Sequence, residues 1–152
     1  MKIKNNYLGF TLMEMLAVIA IISVLMGIIL SGGNQAKQRA RIYKTRAMIA
    51  SLETALALYH TDFGAYPAAG NQSMVNDLAD VAANSSNADW HGPYMSFKAA
   101  DLNGPITTGT VIDAWGNDYV YNNPHPLGAI PPYEIRSLGP DALDAADDIS
   151  NL

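Results

Sequence analysis

The chain of 152 residues contains no cysteine, so no disulfide can staple its fold. Basic charge is scarce: 9 Lys and Arg stand against 14 Asp and Glu, a net charge of −5. That balance argues against a general nucleic-acid binder, which shows a basic footprint. Only three histidines occur, His60, His91 and His125, and their spacing gives no metal-ligand pair. His125, between two prolines, reads as a surface residue. There is no phosphate loop and no nucleophile elbow. The chain is therefore expected not to be an enzyme. One stretch lacks charge altogether: Met15 to Leu30, whose only polar side chain is Ser23.

Extended to Phe10, this apolar stretch is 21 residues long. As a helix it measures about 31 Å, enough to cross a bilayer core of about 30 Å. Inside it sits one carboxylate, Glu14. A lone acid in a membrane span costs roughly 2.5–3.5 kcal/mol and needs a partner. Two readings compete. A secretory signal would be cut after the span, near Ser31-Gly32-Gly33. Cleavage before the span, between Gly9 and Phe10, would instead leave the helix on the mature chain. Phe10 would then carry a free amine on the helix face that holds Glu14, four residues on. An amine supplies the cation and the donors a buried carboxylate requires. The alternative is a Glu14 that snorkels to the membrane interface. The positive-inside rule disagrees when counted naively, because Lys37, Arg39, Arg41, Lys44 and Arg46 follow the span and only Lys2 and Lys4 precede it. The leader lysines abut the span, however, while the others begin seven residues beyond Leu30.

The run Gly9-Phe10-Thr11-Leu12-Met13-Glu14 before an apolar span resembles the processing site of type IV pilins and type II secretion pseudopilins. The resemblance implies that a prepilin peptidase cuts after Gly9 and methylates Phe10. It implies that Glu14 meets the amine of the next subunit and pins the register of a growing filament. It also requires a cytoplasmic leader. Residues 1–9 are then a removed leader, 10–33 a transmembrane and filament-core helix, and 34–152 a periplasmic globular domain. Leader removal leaves 7 basic against 14 acidic side chains. Roughly 120 residues remain beyond the anchor, enough for one modest core.

Along the chain, Ser31-Gly32-Gly33 is expected to interrupt or soften the first helix, since each interior Gly costs about 1 kcal/mol relative to Ala. A second helical stretch runs from Asn34 to about Tyr59, with Ile42, Ile49, Leu52, Leu56 and Tyr59 as its apolar stripe. Lys37, Arg41 and Lys44 share another face, either solvated or in contact with an acidic neighbour. Gly64 suits a helix stop and Pro67 prevents continuation. Tyr59-His60-Thr61-Asp62 with Tyr66-Pro67 resembles the segment that closes the long helix of type II major pseudopilins. A short helix is expected over Met74–Ala83, followed by a polar loop. Gly92-Pro93-Tyr94 again resembles those proteins. Thr107–Ile112 reads as a strand. Asp113-Ala114-Trp115-Gly116-Asn117-Asp118-Tyr119 resembles their Asp-Pro-Trp-Gly-Asn-x-Tyr, with Trp115 expected in the core. The Gly-Asn turn leads into an alternating run. Residues 122–132, with four prolines, form a loop, and Tyr133–Arg136 is a last strand. The expected class is α+β: a pilin-like long N-terminal helix on a small antiparallel sheet.

The chain closes on four carboxylates within eight residues, Asp141, Asp144, Asp147 and Asp148. They fit a solvated tail or a hard-cation site of carboxylates and carbonyls, and their spacing is not that of an EF-hand. Ser137-Leu138-Gly139-Pro140-Asp141 with Asp147-Asp148-Ile149 resembles the calcium loop of the major pseudopilins. The resemblance implies one calcium ion held by Asp141, Asp147 and Asp148 and by the carbonyls of Leu138 and Leu143. Ala142 stands where glycine is common, and the loop is about one residue short, so the role of Asp144 stays open.

Together these motifs identify the chain as a member of the type II major-pseudopilin family within the type IV pilin superfamily. The family implies a homopolymer, single-pass in the bacterial inner membrane before assembly into a short periplasmic filament. Its implied partners are a prepilin peptidase, an inner-membrane assembly platform with a cytoplasmic ATPase, and minor pseudopilins. The alternatives are a type IV or competence pilin, serving adhesion, motility or DNA uptake, and an anchored calcium-binding domain that never polymerises.

Overall fold

Strong helix formers dominate from Leu12 onward, and the first helix, α1, runs unbroken over Leu12–Phe63, 52 residues. The computed structural model describes residues 10–128 and 130–151, the side chains of 28–32 excepted; residues 1–9, expected to be a leader with Gly9 at its end, lie outside them. The interruption expected at Ser31-Gly32-Gly33 is absent, because helix bonding continues through it. Once a helix is nucleated each residue adds a bond, and a local glycine penalty does not stop it. Among the described residues no helix is long and apolar enough to cross a membrane. The Phe10–Leu30 span itself reaches into side chains outside the description. At the far end Gly64 takes φ +65°, and its N–H donates to the His60 carbonyl at 2.8 Å. That left-handed stop is the one the sequence predicts.

The chain divides into two compact units between Arg39 and Ala40. The first holds the apolar part of α1. Its side chains are bare: Leu12 is 83 % exposed, Ile19 61 % and Leu25 53 %.

The second unit carries the core. Ile49, Leu52 and Leu56 of α1 are buried, as the stripe predicts, while Ile42 and Tyr59 lie half-buried at its margins. The expected helix over Met74–Ala83 is two helices, α2 (Asn71–Ala79) and α3 (Val81–Asn84). Asp80 breaks them apart in extended conformation and caps α3, accepting the N–H groups of Ala82 and Ala83. Met74, Val75 and Leu78 of α2 complete one wall.

The strands are short and form two antiparallel sheets rather than the single expected one. In the first, β1 (Leu102–Asn103) pairs with β2 (Thr110–Val111). In the second, the order is β3 (Val120–Asn122), β4 (Glu134–Ser137) and β5 (Ile149–Ser150). Tyr119 and Tyr121 point inward as the alternation predicts, and their hydroxyls donate to the carbonyls of Thr45 and Pro67. Burial raises both phenol pKa values well above the ordinary range. Asn71 ties the sheets to α2: its amide donates to the Val111 and Tyr119 carbonyls and accepts the Val111 N–H, each at 2.8 Å. Leu56→Ala, at a fully buried position, is expected to cost about 2–5 kcal/mol, measured as a lower urea midpoint.

Candidate functional site

At the start of α1, Thr11 immediately precedes the helix and Glu14 is its third residue. The Thr11 hydroxyl accepts the Glu14 N–H at 3.2 Å. The Glu14 carboxylate accepts the Thr11 N–H at 2.8 Å and its hydroxyl at 2.9 Å. This reciprocal arrangement is a capping box, and the Thr-x-x-Glu spacing before an apolar run was its signal in the sequence. Glu14 is thus held in place by its own chain, and it is exposed.

A second set of motif residues meets at the C-terminal end of α1. The Tyr94 hydroxyl donates to Asp62 at 2.6 Å, and His91 Nδ1 lies 3.3 Å from the same carboxylate oxygen. Tyr59 meets Tyr94 edge-on at 5.7 Å. The Tyr94 hydroxyl bond, above all, holds Asp62 below the usual carboxylate range. Burial, helped by Asp62, pushes Tyr94 up to about 12. A depressed acid stabilises the fold above its ordinary pKa of 3.8, and that contribution is lost as pH falls through the lower folded value. Tyr94→Phe is therefore expected to flatten the acid limb of the stability–pH curve, read by chemical unfolding between pH 2 and pH 5.

The turn after β2 organises the C-terminal loop. Asp113 is buried. Its Oδ1 accepts the N–H groups of Trp115 and Asn117, each at 2.9 Å, and its Oδ2 accepts the Ser137 hydroxyl at 2.6 Å. The Asn117 amide then donates to the Gly139 carbonyl at 2.9 Å. Trp115 itself is half-buried at a groove rim, not in the core, because the turn it opens faces solvent. His125 reverses its expectation too. It is only 5 % exposed, because Nδ1 accepts the Leu127 N–H and its own N–H donates to the Pro132 carbonyl, folding it inward. Asp113→Ala leaves three donors without their acceptor and is expected to cost about 3 kcal/mol or more, visible in thermal melts of the domain.

The loop from Leu138 to Asp148 brings together some of the expected ligands. Asp147 Oδ2 accepts the Asp141 N–H at 3.2 Å. Asp147 Oδ1 is buried and has no hydrogen-bond partner. Gly139, at φ +66°, lies against the Asp147 carboxylate and carbonyl so closely that a Cβ would collide with both. A buried carboxylate oxygen without a donor, in a cradle only glycine allows, fits a bound cation. Asp141, Leu143 and Asp144 are exposed, and Asp148 pairs with Arg136 on the neighbouring strand. Among the described residues, no three acidic or histidine side chains are gathered as a metal-holding group.

A helix bare along its apolar part, opened by a capped Thr-x-x-Glu, precedes a small α+β domain closed by an acidic loop. Residues 4–30 match the prokaryotic N-terminal methylation motif. Residues 34–151 match the type II secretion system protein G model, and the chain belongs to that family. Type II secretion system core protein G of Escherichia coli strain K12 is 34 % identical over 99 % of this chain and 94 % of its own length. The protein of that name from Klebsiella pneumoniae is 31 % identical over 94 % of this chain and 92 % of its own. A crystal structure of the major pseudopilin from the type 2 secretion system of enterohaemorrhagic Escherichia coli has a TM-score of 0.47 and 23 % identity, covering 79 % of this chain and 93 % of that one.

Proposed function

We propose that this chain polymerises through its N-terminal helix into the periplasmic pseudopilus, of which its family makes it a structural subunit, and so drives export of folded proteins. The observation that carries this reading is the bare apolar surface of α1, where Leu12, Met13, Ile19 and Val24 are all more than 60 % exposed, as is Phe10 just before it. Such a surface is stable only in lipid or against other helices. Lipid before assembly and sister helices afterwards satisfy both conditions. In this reading residues 1–9 are removed by a prepilin peptidase and Phe10 is methylated. Residues 10–33 anchor the chain in the inner membrane, and 34–152 lie in the periplasm. The assembly platform, its cytoplasmic ATPase and the minor pseudopilins are its working partners.

One calcium ion would be held by Asp141, Asp147 and Asp148 with the carbonyls of Leu138 and Leu143. Its charge would offset the crowded carboxylates and supply the partner that Asp147 Oδ1 lacks. Arg136 already occupies one side of Asp148, so Asp148 would share its carboxylate between the arginine and the ion.

Mass spectrometry of the mature protein tests the processing step. The expected chain starts at Phe10 and carries one added methyl group. Gly9 offers a protease an unobstructed backbone, so Gly9→Leu is expected to accumulate as precursor in the membrane. A mature N-terminus at or beyond Ser31 would overturn the reading.

A further inference from the structure

The globular unit has an open groove of about 470 Å³, lined by Arg41 and Lys44 of α1 and by Ile112, Ala114 and Trp115. Its charges are unequally matched. Lys44 pairs with Asp101 at 3.1 Å. Asp113, in the groove wall, already accepts three hydrogen bonds from Trp115, Asn117 and Ser137. Arg41 is exposed and has no carboxylate within ion-pair distance among the described residues. The groove therefore offers a guanidinium beside an indole, a surface suited to a carboxylate flanked by an apolar side chain.

The same unit exposes a segment of that chemistry. Leu143, in the C-terminal loop, is 97 % exposed. Asp144 follows it, exposed, with one carboxylate oxygen accepting the Ala146 N–H of its own turn at 2.9 Å. Within one chain the loop tip and the groove do not meet: Leu143 is bare, and Arg41 has no ion-pair partner among the described residues. We propose that Leu143-Asp144 of one copy docks in the Arg41–Trp115 groove of a second copy. The Asp144 carboxylate pairs with Arg41, and Leu143 covers Ala114 and the Trp115 ring. Each subunit then offers one loop and one groove. Such a contact is heterologous and repeats from copy to copy, as an open filament requires. It gives Asp144 a role, while the proposed calcium engages Asp141, Asp147, Asp148 and main-chain oxygens and leaves both docking side chains free. The inference rests on the polymerising reading above.

The chain has no cysteine, so an introduced pair reports cleanly. The full chain carrying Ala114→Cys and Leu143→Cys is assembled with its secretion machinery, and the filaments are oxidised. A ladder of covalent dimers, trimers and higher multimers is expected, with monomer from either single variant. Arg41→Asp and Asp144→Arg should each lower filament yield roughly threefold or more, the effect of losing one ion pair and adding repulsion. The combined exchange should restore the yield. Filaments without a ladder, unchanged yield from Arg41→Asp, no rescue by the exchange, or cross-linking of the groove cysteine to a different protein would each overturn the contact and leave the assembly reading standing. A wild-type chain that forms no filaments would sink the assembly reading, and the contact with it.

Discussion

Glu14→Ala is expected to insert and to be cleaved normally, yet to form no filaments. The substitution removes the one charge from the apolar span, so insertion becomes easier, by at most about the 2.5–3.5 kcal/mol that an acid costs at the bilayer centre. The proposed cleavage reads Gly9 and Phe10, which are unchanged. Assembly is different. In the proposed filament the amine of a neighbouring Phe10 lies at the depth of Glu14, and removing one partner of a buried ion pair typically costs about 3–5 kcal/mol. Per subunit, that corresponds to a loss of roughly a hundredfold or more in the addition equilibrium. The capping box adds a control. Thr11 and Glu14 hold each other across three hydrogen bonds. Loss of the cap alone costs about 0.5–2 kcal/mol, confined to the first turn. Thr11→Ala removes the cap but keeps the carboxylate, so it should weaken filament formation far less than Glu14→Ala. Sheared-filament yield and electron microscopy read both variants. Filaments of normal number from Glu14→Ala would show that this carboxylate serves only to cap its own helix.

What the sequence made legible follows a physical division. Periodic features came through: the stripe of Ile49, Leu52 and Leu56, the inward Tyr119 and Tyr121, and the glycine stop at Gly64. Each depends on neighbours within a few residues, where side-chain period and φ preference decide the outcome. Features that depend on distant partners did not. Asn71 bonds three main-chain groups across 40 to 48 residues of sequence, and nothing around it announces that. β1 and β5 are two residues each, too short to show alternation. Asp80 was legible as a possible cap only once the break between α2 and α3 was seen. His125 and Trp115 exchanged their expected places because loop prolines and a turn, rather than hydrophobicity, set their burial. At the site, the sequence brought out the acidic loop and Glu14. It did not bring out the pairing of Asp148 with Arg136, nor the close packing of Gly139 on Asp147. Both depend on how β4 and β5 align.

Calcium is expected to raise the melting temperature of the domain from Ala40 onward, and a chelator to lower it. Asp147 carries the argument. Its Oδ1 is buried without a donor, and a buried carboxylate oxygen without a partner is costly until a cation reaches it. A Cβ at Gly139 would collide with the Asp147 carboxylate and carbonyl, so the turn beside them requires glycine. The loop leads directly into β5, whose pairing with β4 is short, Arg136 with Ser150 and Ser137 with Ile149. A loop pushed apart by its carboxylates would release that short strand, and no disulfide retains it. An ion bound only to the folded state stabilises it by about 2.7 kcal/mol at 100 times Kd. For a domain of this size that is on the order of 10 °C in Tm. Asp147→Asn keeps the shape of the side chain and removes its charge, so it should abolish the difference between calcium and chelator. Asp148→Ala should behave differently. It also breaks the pair with Arg136, so it should lower Tm in chelator as well as in calcium. Identical melting of the wild-type domain in both conditions would show that the aspartates are a solvated loop.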